Sequence, residues 1–146
     1  MRQFSAGLER VVAAQAAGDP RAAESAPIVA RYFREALPNH AADEDESLSP
    51  RLLQLDPALA AVLARLADEH HQLDVLLPLL CANLDRLGAG EALDAATFAE
   101  RAAGVLGLLR EHARVEEEAW FPLVDRIPAA AQRAIRLEMA DRRKRR

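Results

Sequence analysis

Three long stretches of this chain carry apolar residues at the three- and four-residue spacing of a buried helical stripe, and a histidine interrupts each stripe. The first reads Val29, Phe33, Ala36, His40, Glu44, Leu48, Leu52, Leu55; the second Leu59, Val62, Leu66, His70, Leu73, Leu77, Leu80, Leu84; the third Phe98, Ala102, Val105, Leu109, His112, Glu116, Trp120. Such spacing puts every member on one face of a helix. Two stripes also hold a glutamate one turn after the histidine. A buried carboxylate is costly unless it is paired or bound to a cation, and an ordinary bundle would place leucine at positions 44 and 116. Something must compensate those charges.

The arrangement is made twice. His40 to Pro50 reads HAADEDESLSP and His112 to Pro122 reads HARVEEEAWFP, with five of eleven positions identical, including the histidine, the glutamate four on and the proline ten on. Residues four apart are neighbours on a helix surface, so each histidine and glutamate can reach one point inside a bundle, which is the spacing a metal site needs. A weaker echo links His70, Leu73, Leu76, Leu77 to Ser5, Leu8, Val11, Val12. The chain reads as two helix pairs related by pseudo-symmetry.

Alanine, leucine, arginine and glutamate dominate, and aromatic and β-branched residues are sparse, so local propensity predicts an all-α fold. Gly18-Asp19-Pro20 closes a first helix from about Gln3 to Ala17. A second runs from near Ser25 to Leu55, with Pro27 in its first turn and a kink at Pro38. Asp56-Pro57 opens a third, bent at Pro78 and ended by Gly88-Ala89-Gly90. Asp94 with Thr97 caps a fourth that reaches about Asp125, with Pro122 distorting its end. Residues 1–127 are therefore expected to form the bundle. Residues 128–146 are expected to form a short C-terminal helix, opened by Pro128, and a basic tail, Arg142, Arg143, Lys144, Arg145, Arg146, frayed and solvated.

The formal charge of −4 excludes a nucleic-acid-binding body, which needs a concentrated positive surface. The most apolar run, Leu73 to Leu84, is broken by Asp74, Pro78 and Asn83, and falls short of the ~20 apolar residues of a membrane span. One cysteine, Cys81, makes no intramolecular disulfide and reads as a small buried hydrophobe, so a reducing cytoplasm is the expectation. No Glu-x-x-His or His-Glu-x-x-His occurs, nor a phosphate loop.

His112, Glu116, Glu117, Trp120, Phe121 and Pro122 make up a histidine, a glutamate four later, a second acid, an aromatic pair and a proline. In this the chain resembles the hemerythrin-like family, the HHE cation-binding domain, from about Phe4 to Asp125. The resemblance implies an antiparallel up-down-up-down four-helix bundle around a carboxylate-bridged, non-haem di-iron site. Carried over, His40 and His112 are terminal ligands, Glu44 and Glu116 the bridges, and His70 the ligand from the third helix. The family's first-helix histidine is missing, and by the repeat phase the vacant position is Ser5. Two octahedral irons offer roughly twelve positions, of which these residues fill about seven. Asp74, one turn after His70, is the expected substitute, while His71 points about 100° away. The gap also leaves room for a mononuclear site or another divalent metal.

The function so implied is a non-enzymatic metal-binding protein whose open iron positions take a small diatomic ligand, dioxygen or nitric oxide, for sensing, storage or iron handling. A di-iron redox enzyme with a redox partner, or an iron donor in iron–sulfur repair, is the second expectation. A metal-free interaction bundle is the third. The acids Asp43, Asp45, Glu46, Glu117 and Glu118 are expected on solvated faces, with one or two orienting a ligand histidine.

Overall fold

The computed structural model describes residues 2–145, with side chains from Ser5 onward, and every regular element among them is helical. Arg146 and the side chains of Gln3 and Phe4 lie outside the described residues. Helix α1 (Arg2–Ala16) ends at Gly18, whose φ of 66° is the left-handed turn that favours glycine. Residues 21–55 form one unbroken helical run of α2 (Arg21–Arg31), α3 (Leu37–Ala42) and α4 (Ser49–Leu55), joined by π-helical segments at Tyr32–Ala36 and Asp43–Leu48. Asp56 Oδ1 accepts from the Ala58 N–H at 3.0 Å and opens a short 3-10 turn leading to α5 (Ala60–Gly88). Asp94 Oδ1 accepts from the Thr97 N–H at 2.7 Å and caps α6 (Ala95–Ala119). Helices α7 (Phe121–Val124) and α8 (Ala129–Lys144) follow.

The first four long rods close a ring: α1 packs on α2, α2 on α5, α5 on α6 and α6 on α1. Their stripes form two apolar cores. One includes Leu8, Val11, Phe33, Leu37, Leu80, Leu84, Phe98 and Leu109; the other includes Leu52, Leu66, Val115, Trp120, Ile127 and Ile135. On every contributing helix the polar stripe residues fall between the two: His70 between Leu66 and Leu73, His112 between Leu109 and Val115, His40 and Glu44 between Leu37 and Leu52. The site is thus a polar layer between two apolar ones.

Three expectations are corrected. Ala36 is exposed and Leu37 is buried in its place, because the π segment Tyr32–Ala36 widens the turn and shifts the stripe by one residue. That widened turn lies directly before Pro38, which lacks the N–H a regular helix would use. Second, α6 stops at Ala119 instead of continuing to Asp125: Trp120 leaves the helical region at φ −125°, two residues before Pro122.

Third, the C-terminal helix spans 16 residues and its basic end is not frayed. Arg142 and Arg143 both pair with Asp43, a carboxylate only 4% exposed. Arg142 also reaches Glu46 at 2.9 Å and the Ser47 hydroxyl at 3.2 Å. A second tie joins Arg51 to Glu138 at 3.0 Å. The acid partners sit about a hundred residues upstream, where no local charge count reveals them. Cys81 is buried and free, and no helix among the described residues is long and apolar enough to cross a membrane.

Candidate metal centre

Three helical runs deliver five donors to the polar layer. Glu44 stands in the middle: its Oε1 is 2.9 Å from His40 Nε2, and its Oε2 is 3.3 Å from His70 Nε2 and 3.4 Å from His112 Nε2. Glu116 Oε1 lies 3.6 Å from His112 Nε2 and 3.7 Å from His40 Nε2. The His70 and His112 rings are 4.6 Å apart between centroids. The donors fall into two groups, Glu44 with His70 and His112, and His40 with Glu44 and Glu116; within each the ligand atoms lie within 4.8 Å of one another. Glu44 belongs to both.

These groups are buried, except that the His40 side chain remains 36% exposed and opens one side of the site. His40 Nε2, His70 Nε2 and Glu116 Oε1 are buried and make no well-directed hydrogen bond, the two imidazole nitrogens meeting Glu44 only as close ion-pair contacts. Buried polar atoms left unsatisfied cost about 1–3 kcal/mol each. Two imidazole nitrogens and one carboxylate oxygen converging around Glu44 are what a cation would satisfy, and imidazole with carboxylate is a donor set suited to iron, zinc or manganese.

Outer carboxylates hold two rings in place. His70 Nδ1 is 2.9 Å from Asp45 Oδ2, and His112 Nδ1 is 2.9 Å from Glu69 Oε2. Each Nδ1–H donates outward, which turns the Nε2 lone pair toward the centre and makes it a better ligand. Arg65 Nε in turn donates to Glu69 Oε1 at 2.9 Å.

Without a cation, protons balance the charge. Burial lowers the affinity of His112 for a proton, but Glu116 and Glu44 outweigh it and raise its pKa to about 10. Burial works the same way on His70, and Asp45 and Glu44 raise it to about 9. Burial pushes Glu44 up, yet the imidazoles of His112, His40 and His70 hold it well below the usual carboxylate range. Glu116 rises to about 6, from burial and from the neighbouring Glu44 charge against the pull of His112.

The same residues lie within a stretch, residues 1–124, that matches the profile of the Hemerythrin HHE cation binding domain. The chain belongs to that family. Comparison with curated proteins and with solved structures finds no match. Cation binding by HHE domains and the buried histidine–glutamate cluster together support metal binding at this layer. Helix α8 lies beyond the matched stretch.

Not every residue expected at the centre of this HHE domain is found there. Asp74 is exposed and outside both groups, on the wall of a cleft with Arg34, Pro38 and Asp85. The buried stripe of α5 passes through Leu73 and Leu77, leaving position 74 at its solvent edge. His71 is exposed, its Nδ1 2.8 Å from the Ala67 carbonyl. Ser5 is buried on α1 beside a cleft of about 360 Å³ that Leu109 and Ala113 also line.

Two neighbours of the centre were not anticipated. Glu69 follows Leu66 by three and precedes Leu73 by four, so its phase on the buried stripe was a usable signal. Tyr32 is half-buried on the first π segment, and burial together with the charges of Glu116 and Glu44 pushes its phenol up to about 12. Nothing in its spacing distinguishes it from an ordinary core aromatic.

Proposed function

We propose that this protein is a non-haem di-iron member of the HHE family, an antiparallel four-helix bundle that takes up a small ligand such as dioxygen or nitric oxide. The observation that carries the reading is Glu44, whose two oxygens face different donor groups, Oε1 toward His40 and Oε2 toward His70 and His112. A carboxylate so placed serves two ions at once. His70 and His112 would hold one ion, His40 and Glu116 would hold the second, and Glu44 would be shared.

The iron would supply reversible coordination and redox chemistry for the exogenous ligand. The chain's residues do the rest. Three imidazoles and two carboxylates leave several of roughly twelve octahedral positions for solvent or an added ligand. The partly exposed His40 side supports an approach for something small. The two apolar cores bracket the layer and restrict water.

Protein produced in iron-supplemented medium should carry about two irons per chain, and its ultraviolet–visible spectrum should show oxo-bridge charge-transfer bands that change on adding azide or nitric oxide. A single tightly bound ion with no such bands would replace the di-iron reading with a mononuclear one. Melting curves that coincide before and after chelation would favour the metal-free bundle.

A further inference from the structure

Between α8 and the end of the bundle lies a cavity of about 500 Å³, walled by Leu48, Trp120, Ile127, Ile135 and Met139. Small-molecule sites run about 300–1,000 Å³ and share this character, an apolar wall with a few polar groups. One such group is in the wall itself. Trp120 is 4% exposed, and its Nε1–H has no hydrogen-bond partner, whereas a buried indole ordinarily finds an acceptor. At the rim stands Arg136, exposed and with no ion pair among the described residues. Asp125 shares that rim and makes none either.

The walls ask for hydrocarbon, and the two donors ask for acceptor oxygens. Arg136 favours an anionic head, since its guanidinium fits a carboxylate with paired hydrogen bonds. Asp125, which lines the same cavity, disfavours multiply charged anions such as phosphates. We propose that this cavity is a binding site for a small monocarboxylate with an apolar body, of the medium-chain fatty-acid class. Helix α8 creates the site by supplying Ile135, Arg136 and Met139 against the HHE bundle. None of these residues is a candidate metal ligand, so the proposal stands apart from the iron reading.

The test titrates the full-length protein with decanoate and with decanol, each below its aggregation threshold, by calorimetry and by the emission of Trp120, the chain's one tryptophan. Decanoate should bind saturably at one per chain and shift the emission, and decanol should bind about tenfold more weakly. Arg136→Gln, at an exposed position, should keep the melting temperature and reduce decanoate to the decanol affinity. Asp125→Asn should tighten decanoate. No saturable signal from either compound would overturn the proposal. So would equal affinity for both with no effect of Arg136→Gln, because that pattern describes unspecific apolar partition.

Discussion

The two copies of the repeated motif share a pattern and use it differently. In α6, the copy from His112 stays regular to Ala119, and its last acid faces outward: Glu118 is exposed and pairs with Arg114 one turn back. In the run from His40 the chain opens into the π segment Asp43–Leu48, and three consecutive acids are put to work. Asp43 pairs with α8, Glu44 enters both donor groups, and Asp45 holds His70. A π turn closes i to i+5 instead of i to i+4, so it gathers more successive side chains onto one side. Position 43 corresponds to Val115 in the other copy, and both are buried. Valine there only has to pack, whereas aspartate needs the guanidinium groups of Arg142 and Arg143.

The sharpest way to break this comparison is to remove the two equivalent glutamates. If Glu44 serves both groups, Glu44→Ala should lower affinity at both positions by more than about a hundredfold. Glu116→Ala should spare the ion held by His70 and His112. Anaerobic ferrous titration reads the stoichiometry, and equal losses in the two variants would remove the special status of Glu44.

Next in size are the outer carboxylates. Asp45→Asn and Glu69→Gln should each weaken metal binding by about 10–100-fold, through a mis-set ring rather than a lost ligand. Glu117→Gln, the counterpart of Asp45 in the regular copy, should change it by less than about threefold. A loss at Glu117 as large as that at Asp45 would mean that the π turn creates no difference between the copies.

Arg142→Ala leaves buried Asp43 with only the half-exposed Arg143. Breaking a buried pair costs about 3–5 kcal/mol, and with one partner kept about 2 kcal/mol is the expectation. For a chain of this size that lowers the melting temperature by roughly 4–8 °C. An unchanged melt would show that the π copy does not depend on α8.

A last test is a pH dependence of opposite sign in the metal-free and metal-loaded protein. His70 and His112 are raised from an ordinary 6.5 to about 9 and about 10. A histidine whose pKa is higher in the folded state stabilises the metal-free fold fully below pH 6.5, and that contribution is lost as pH climbs through 9 and 10. Metal binding takes the same protons away. Affinity should therefore rise with pH below about 9, by up to about tenfold per unit for each proton displaced. Chemical denaturation of chelated protein, set beside metal titrations at matched pH, gives both slopes, and slopes of the same sign would exclude proton displacement.

Much of this protein was legible in its sequence because the signals are local. Helix propensity, the breakers at Gly18, Gly88 and Gly90, the caps Asp56 and Asp94, and the stripe phase each depend on a few neighbouring residues. They were enough to bring His40, Glu44, His70, His112 and Glu116 to one buried layer. What only the tertiary structure decided concerns rotation about a helix axis and contacts across long sequence distances. The π turns shift Leu37, Asp43 and Asp45 by an amount no periodic pattern encodes, and the phase of α5 turns Glu69 toward His112 while leaving Asp74 in solvent. The basic end of α8 looks like a solvated tail until the bundle places Asp43 beneath it. A charge becomes structural only when its partner is brought close and water is removed, and folding the whole chain is what does both.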